Sequence, residues 1–356
     1  MLGILKESCQ RVALTPAACK KIKDQLGVTV QVESGAGVSA GYPDHSYAEI
    51  ANVVSRAQVL AASKVVVSVD PLPGDVMSQL ASSTILVSMF EPYNKPEVVG
   101  NLKAAGMQAF SLDMVPRTTL AQSMDVLSSM ASLAGYKAVL KGAETCSRCL
   151  PMMMTAAGTI KPANILVIGA GVAGLQAIAT AKRLGAKVSA FDVRSSSREE
   201  VQSLGAKFVE VEGAKDDSAA GGYAVQQSEE FLQRQKDEIH KFASKSDIII
   251  TTAQLRGKKA PILVEDRTVA AMMPGSVIVD LAARSGGNTT FTKEGVVVTD
   301  NLITIIGDSD LADTIPEHSS DLLANNYFNF IKLFIKDGQI NIDMANPILE
   351  SSLITK

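Results

Sequence analysis

Three glycines and one aspartate have the types and spacing of a nucleotide-binding site. Gly169, Gly171 and Gly174 lie in an uncharged stretch, residues 162–181, and Asp192 follows 18 residues after the last of them. The first glycine would allow a tight turn, the second would let backbone N–H groups approach a pyrophosphate, and the third would let a helix pack against a strand. The pattern predicts a dinucleotide site. Two further residues of the loop are predicted cofactor contacts: Val172 and Ala173.

Elements of the expected kind flank these glycines. The β-branched run Ile165–Ile168 predicts a buried parallel strand, Leu175–Leu184 a helix, and Lys187–Phe191 the next strand. The N-terminus of that helix would direct its dipole at the phosphates. An uncharged stretch of this length could also span a membrane, but its glycines and its Asn164 and Gln176 argue against that interpretation.

Asp192 also bears on which nucleotide is bound. Its carboxylate is placed to accept hydrogen bonds from the adenosine ribose, and its charge would repel a 2′-phosphate, so NAD(H) is predicted over NADP(H). Val193 is a predicted contact of the same strand end. Arg194 allows another interpretation, because an arginine just past the strand can hold a 2′-phosphate. A third interpretation makes Arg194 a solvated loop cation near the nucleotide.

Length and composition exclude several classes of protein. A chain of 356 residues has room for two domains, and 46% hydrophobic with 20% charged residues is typical of an ordinary α/β protein. The net charge of −3 and the lack of a basic stripe argue against nucleic-acid binding. The start, MLGILKES, has no apolar leader, so secretion is not predicted.

The cysteines and histidines do not predict a metal site or a disulfide framework. Cys146 and Cys149 form a CxxC pair without the second pair that a zinc site needs, and they are interpreted as two free thiols. The histidines are dispersed along the chain: His45, His240 and His318.

Strands and helices alternate along most of the chain, which predicts two Rossmann-like, doubly wound parallel sheets with a cleft between the domains. A helical pattern from Ser123 to about Leu150 links the two, and a second helix is predicted at Leu322–Ile335. The predicted domains are 1–122 with 325–356, and 123–324. The remaining predicted strands are Leu2–Leu5, Val28–Val32, Val65–Val69, Ile85–Met89, Gln108–Leu112, Lys207–Val211, Asp247–Thr252, Ser276–Asp280 and Ile303–Ile306.

Residues 212–222 are small, polar and glycine-rich, which predicts a mobile loop, extending to residue 224. It is either a surface excursion or a lid, in which Tyr223 is the large side chain.

Several motifs together resemble one family. The run from Arg117 through Gln122 and Asp125 to Ser128, the segment 152–186 and the strand PGSVIVDLA at 274–282 are similar to the NAD(H)-binding component, domain I, of proton-translocating nicotinamide nucleotide transhydrogenases. The resemblance runs from Gly3 to about Phe334. The glycine motif alone would not separate this family from its relative, alanine dehydrogenase.

The resemblance implies an enzyme that passes hydride directly from NADH, bound here, to NADP⁺ bound on a separate domain III. A membrane domain II would couple the reaction to proton movement. The resemblance further implies a homodimer, and a soluble domain at the cytoplasmic or matrix-type face of an energy-coupling membrane.

Arg117, Gln122 and Asp125 are the candidate catalytic residues that this resemblance implies. Hydride transfer between nicotinamides moves no proton, so the reaction needs positioning and exclusion of water rather than an acid or base. Gln122 and Asp125 would share one helical face, which Ser128 continues. From the spacing alone, Thr119 could instead cap a helix with Asp125 in its first turn.

The remaining predicted cofactor contacts lie on loops or at a strand end: Gly222, Tyr223, Ala224, Gln254, Leu255, Asp280 and Asn288. Asp280 ends a strand and could instead act as a strand-end cap, and Gly286-Gly287-Asn288 is predicted to approach the cofactor closely. Arg256 and Arg284 depart from the family pattern near the expected site.

Two other functions remain open. An alanine-dehydrogenase-like enzyme would need a substrate lysine and a catalytic histidine, and these align with Val69 and Glu91, although Arg11 matches the substrate arginine. A non-catalytic NAD-responsive module would need the glycine loop but not the Arg117–Asp125 segment.

Overall fold

A computed structural model describes residues 1–211, 228–254 and 257–356 and divides them into two compact units. Unit 1 comprises Met1–Met130 and Ala312–Lys356, and unit 2 comprises Ala131–Leu311. The sequence-based boundaries, after residues 122 and 324, lie several residues from these. The predicted boundary after residue 324 differs from the observed one because the helix that contains residue 324 belongs as a whole to unit 1.

Unit 1 begins with an entirely parallel sheet whose strands alternate with helices, as the sequence predicts. Its order, β3-β2-β1-β4-β5-β6, has a switch point between β1 and β4. The predicted strands are confirmed to within a few residues, whereas the short edge strand β3 was not predicted. The elements are β1 Leu2–Ile4, α1 Pro16–Leu26, β2 Val30–Glu33, β3 Asn52–Val54, α2 Arg56–Ala62, β4 Val65–Val67, α3 Gly74–Met77, β5 Ile85–Ser88, α4 Pro96–Ala104 and β6 Gln108–Ser111.

Helix α5 (Val126–Thr145) leads into unit 2, where a short antiparallel hairpin precedes the second sheet. That sheet has the order β11-β10-β9-β12-β13-β15-β14, parallel except for its last strand. The elements are β7 Met153–Thr155, β8 Gly158–Ile160, β9 Asn164–Ile168, α6 Val172–Arg183, β10 Lys187–Phe191, α7 Ser197–Ser203, β11 Lys207–Phe208, α8 Glu229–Ala243, β12 Ile248–Thr251, α9 Asp266–Ala271, β13 Val277–Asp280, β14 Val296–Asp300 and β15 Ile303–Gly307.

Small residues bring α5 close to the start of α6. A Cβ atom on Gly135 would lie 2.1 Å from the carbonyl oxygen of Ala173, so only glycine permits this approach. The same helix packs Gly142 against Ile248 of β12. Both contacts lie within unit 2, where the first fixes α5 against the glycine-rich turn and the second fixes it against the sheet.

The chain then returns to unit 1 through α10 (Pro316–Ile331), β16 (Ile335–Lys336), β17 (Gln339–Ile340) and α11 (Pro347–Ser352). The predicted helix at 322–335 is wrong at both ends, because Pro316 occupies the first turn, where proline is favoured, and the helix ends at Ile331. Leu323, Tyr327 and Phe330 are buried in the core of unit 1. This burial explains why the unit boundary precedes the helix.

The architecture confirms the predicted fold class of Rossmann-like α/β units with parallel sheets. Each sheet core consists of fully buried strands of β-branched residues, such as Val65–Val67 and Ile248–Thr251, covered by helices. Among the described residues, no helix is both long and apolar enough to cross a bilayer.

Candidate functional site

The glycine-rich turn joins β9 to α6 at the switch point of the unit 2 sheet, where β9 lies between β10 and β12. Gly169 has a φ of 97°, which favours glycine, and its N–H donates to the carbonyl of Phe191 (2.8 Å). Gly171 is the N-cap residue of α6. The first N–H groups of a helix at such a switch point form an anion site.

The space around each glycine separates its role from the others. A Cβ on Gly174 would lie 1.8 Å from the carbonyl oxygen of Gly169, so this glycine closes the turn onto the helix. A Cβ on Gly171 would meet no other part of the described chain within 4 Å, so its backbone lies clear of the described residues around it. The turn therefore fits a pyrophosphate beside Gly171, at the N-terminus of α6.

Asp192 lies at the end of β10 and is 7% exposed. The Ala170 N–H donates to its Oδ2 (2.7 Å), and the Arg194 N–H donates to its Oδ1 (2.8 Å). The Arg194 guanidinium completes a bidentate ion pair, with Nε 2.9 Å from Oδ1 and Nη2 2.9 Å from Oδ2. Arg194 is therefore not a solvated loop cation, because it binds the carboxylate predicted to select the ribose.

Asp280 and Asn288, both predicted cofactor contacts, are fully buried. Asp280 accepts from the N–H groups of Ala282 (2.9 Å) and Asn288 (2.6 Å) and from the Thr292 hydroxyl (2.6 Å). The Asn288 side chain bonds to the backbone of Ala253 and Pro261. Both side chains hold together the loops that follow β12 and β13, and direct contact of either with a cofactor stays a prediction.

Several other predicted residues surround these loops. Gln254 is exposed and donates from Nε2 to the carbonyl of Leu281 (2.7 Å). Arg284, one of the departures from the family pattern, is ion-paired with Asp310. The predicted residues Gly222, Tyr223, Ala224 and Leu255, the loop 212–224 and Arg256 lie outside the described residues.

Gln122 and Asp125 do not share a helical face, contrary to the spacing argument. Gln122 is exposed on a 3₁₀-helix, Thr119–Met124, which ends before α5 begins at Val126. Asp125 lies at the junction, where its Oδ1 accepts from the Ser128 N–H (2.9 Å) and its Oδ2 from the Ser128 hydroxyl (2.6 Å). Asp125 therefore caps α5, and the alternative in which Thr119 caps the helix is also wrong. Arg117 is exposed just before the 3₁₀-helix.

Sequence reasoning missed two threonines that support the unit 2 site. The Thr252 hydroxyl, just past β12, donates to the carbonyl of Gly169 (3.1 Å), so it braces the glycine-rich turn. The Thr292 hydroxyl donates the third hydrogen bond that Asp280 accepts. The position of Thr252 at the carboxyl end of a predicted strand beside the switch point was the available signal.

The positions compared with alanine dehydrogenase lie in unit 1. Arg11 is 7% exposed, and its Nε lies 2.9 Å from Asp313 Oδ1. Glu7 accepts from the N–H groups of Val69 (2.8 Å) and Asp70 (2.9 Å). Glu91 is ion-paired with Lys95 (3.3 Å). Arg11 is therefore neutralised by a carboxylate of the protein itself.

One group among the described residues, Glu7, Cys9 and Asp70, could offer three ligand atoms to a metal ion. Burial raises the pKa of Glu7 to about 8 and that of Cys9 to about 12. A cation bound by this group would therefore have to release protons from Glu7 and Cys9.

The models of the alanine dehydrogenase/PNT N-terminal and C-terminal domains match residues 3–134 and 138–356. The chain is 40% identical to NAD(P) transhydrogenase subunit alpha of Haemophilus influenzae, over 99% of this chain and 69% of that protein. It is 39% identical to the first part of NAD(P) transhydrogenase subunit alpha of Rickettsia prowazekii, over 97% of this chain and 91% of that protein.

A solved structure shows the same likeness. The transhydrogenase from Sinorhizobium meliloti superposes with a TM-score of 0.90 at 39% identity, covering 99% of this chain and 98% of that chain. Alanine dehydrogenase of Mycolicibacterium smegmatis is more distant, at 26% identity over 92% of this chain and 84% of that protein.

Proposed function

This chain belongs to the alanine dehydrogenase/PNT family and, within it, to the NAD(P) transhydrogenase alpha subunits, and from this premise we propose that it binds NAD(H) through unit 2 and exchanges hydride with NADP(H) held on a partner domain. It is an oxidoreductase of this family. The observation that carries the proposal is about 40% identity to transhydrogenase alpha subunits along nearly the whole chain.

The residues of unit 2 fit a dinucleotide. The turn at Gly171 leaves open space beside the first turn of α6, which suits a pyrophosphate, and Asp192 ends the neighbouring strand, where it suits a ribose. Bound NADH would supply the hydride. Asp280 and Asn288 hold the backbone of the flanking loops in place, and this rigidity preorganises the site.

Arg117, Gln122 and Asp125 have the polar chemistry needed to orient a nicotinamide carboxamide and its ribose. No proton is transferred in the hydride step, so these residues act by position rather than as acids or bases. Asp125 is held by Ser128, and Gln122 is exposed with its amide available for hydrogen bonds. Gln122 is therefore the residue that we expect to position the ring for transfer.

The proposed partners are the NADP(H)-binding domain III and the membrane domain II, which would couple hydride transfer to proton translocation. The chain would then lie at the cytoplasmic or matrix-type face of an energy-coupling membrane. Relatives named as alpha subunits support the existence of partner subunits or domains.

We further propose that the chain forms a homodimer through the hairpin β7–β8. Met153 and Ile160 are paired across the hairpin and each is 44% exposed, while Met154 and the preceding Met152 are 76% and 59% exposed. Exposed apolar side chains that cluster on one short hairpin mark an interaction surface. A second copy of the chain is the occupant that the family resemblance implies.

The test of the proposed function is reconstitution with a purified transhydrogenase NADP(H)-binding domain, following hydride transfer from NADH to NADP⁺ or to a coloured analogue. We expect fast transfer only when both proteins are present. Binding of NADH without transfer would contradict the hydride-transfer role. Turnover of alanine or pyruvate would then support the dehydrogenase alternative, and its absence the NAD-responsive module.

A further inference from the structure

The Asp192 carboxylate has all its acceptor positions filled by the protein. A carboxylate offers about four acceptor sites. Four N–H groups reach it: the main-chain N–H groups of Ala170 and Arg194, and the Nε and Nη2 groups of the Arg194 guanidinium, at 2.7 to 2.9 Å. A ribose hydroxyl that donates to Asp192 must therefore replace one of these donors.

The four donors are not equally replaceable. Ala170 belongs to the buried glycine-rich turn, and the Arg194 N–H is part of the chain that leaves β10, so neither can move without rebuilding the backbone. The Arg194 guanidinium ends a flexible side chain and is 25% exposed. It is the donor that can leave.

Resting on the proposed NAD(H) site, we propose that the Arg194 guanidinium, paired with Asp192, occupies the adenosine-ribose subsite and must be displaced from Asp192 when NADH binds. Arg194 thus lowers the affinity for NADH and acts as a specificity-determining residue.

The same pair affects the distinction between NADH and NADPH. While paired, Arg194 offsets the negative charge that would repel a 2′-phosphate, and once displaced it remains beside the strand end, where a guanidinium can pair with that phosphate. Removing Arg194 would therefore favour NADH over NADPH in two ways. The ribose subsite would no longer be occupied by the guanidinium, and the full negative charge of Asp192 would repel a 2′-phosphate. Discrimination against NADPH should widen.

The test measures the Kd values of NADH and NADPH for the wild type, Arg194→Ala and Arg194→Lys. We expect Arg194→Ala to bind NADH roughly 3- to 10-fold more tightly, as suits a partly exposed ion pair. NADPH binding should stay equal or weaken. Arg194→Lys keeps the charge but loses the bidentate fork, and should give an intermediate NADH affinity.

Arg198→Ala is the matched control, because Arg198 is a nearby cation paired with Glu210 (3.0 Å) rather than with Asp192. It should leave both Kd values within about 2-fold, which separates displacement from a general loss of positive charge. Equal or weaker NADH binding by Arg194→Ala would overturn this inference while leaving the NAD(H) site standing. A wild type that binds no NADH would overturn the proposed function itself.

Discussion

Asp125 holds the first turn of α5 through both of its carboxylate oxygens, which bond to the backbone and hydroxyl of Ser128. Loss of such a cap destabilises a helix by about 1 kcal/mol. A substitution at Asp125 therefore changes folding and any role in the reaction together. Gln122 is exposed outside α5, so it separates the two effects.

Gln122→Ala is expected to slow hydride transfer to the partner domain by about 10- to 100-fold while changing the Kd of NADH by less than about 3-fold, because misplacement of a reacting group affects rate more than affinity. Stopped-flow transfer rates and NADH titrations measure the two quantities. Asp125→Ala is the comparison and should also lower Tm. Parallel losses of rate and affinity in Gln122→Ala would refute a positioning role.

Glu7 gives unit 1 a pH-dependent stability. Burial raises its pKa to about 8 from an ordinary 4.5; the N–H groups of Val69 and Asp70 and the nearby Arg11 charge oppose the rise, and the Asp70 charge adds to it. The folded protein thus binds the proton more tightly than the unfolded chain. The resulting stabilisation is complete below about pH 4.5 and is lost as the pH rises to about 8.

Glu7→Gln should flatten this dependence, since the amide does not titrate. We expect a smaller fall in Tm between about pH 5 and 8 than in the wild type, followed by calorimetry. Glu350→Gln, which alters an exposed carboxylate paired with Lys356, should keep the wild-type slope. An unchanged slope in Glu7→Gln would assign the pH dependence to other groups.

Among the secondary-structure elements, β9, the glycine-rich turn and α6 form one unit in which each glycine meets a different constraint. Gly174 is required by contact inside the protein, because its Cβ would lie 1.8 Å from the carbonyl oxygen of Gly169. Among the described residues nothing would lie within 4 Å of a Cβ on Gly171, and its φ of −77° is one that any residue adopts. Packing therefore explains the glycine at 174, whereas the glycine at 171 suits the close approach of a pyrophosphate.

Gly174→Ala and Gly171→Ala form a matched pair that tests this division. Gly174→Ala should destabilise the protein by about 1–3 kcal/mol through overpacking, seen as a lower Tm without nucleotide. Gly171→Ala should leave Tm nearly unchanged and weaken NADH binding by about tenfold or more, because the methyl group would lie where the pyrophosphate approaches. Unaltered NADH affinity in Gly171→Ala would argue against that location.

The two sheets of the chain share one strand order. Each has three strands on one side of a switch point and three parallel strands on the other. The second unit adds an antiparallel edge strand and the exposed hairpin β7–β8. These additions leave exposed apolar side chains outside the core of unit 2, and those of the hairpin form the proposed dimer interface.

Met153→Ser combined with Met154→Ser should weaken the proposed dimer by about tenfold or more, because burial of each such side chain is worth about 1.5–3 kcal/mol. Light scattering across a dilution series measures the association. Val38→Ser, which alters a 56% exposed side chain of unit 1, is the control and should not change it. A monomeric wild type, or a double variant that dimerises normally, would contradict the hairpin interface.

Local sequence patterns were sufficient to predict the parallel α/β class, most strand positions and the glycine-rich turn with Asp192 after it. These features follow from local preferences: β-branched runs form buried strands, and glycine permits the turn at Gly169. The start of α10 at Pro316 and the edge strand β14 were missed, although a proline in the first helical turn and the β-branched run 296–299 are both recognisable signals.

The role of each polar side chain, in contrast, depended on contacts formed by folding. Asp192 is saturated by Ala170 and Arg194, Asp280 and Asn288 are buried as supports of loops, and Arg11 meets Asp313 from the far end of the chain. A residue type states which hydrogen bonds a side chain can make. Which of them it makes depends on the partners that folding brings within about 3 Å, and these come from distant segments whose distances no local pattern encodes.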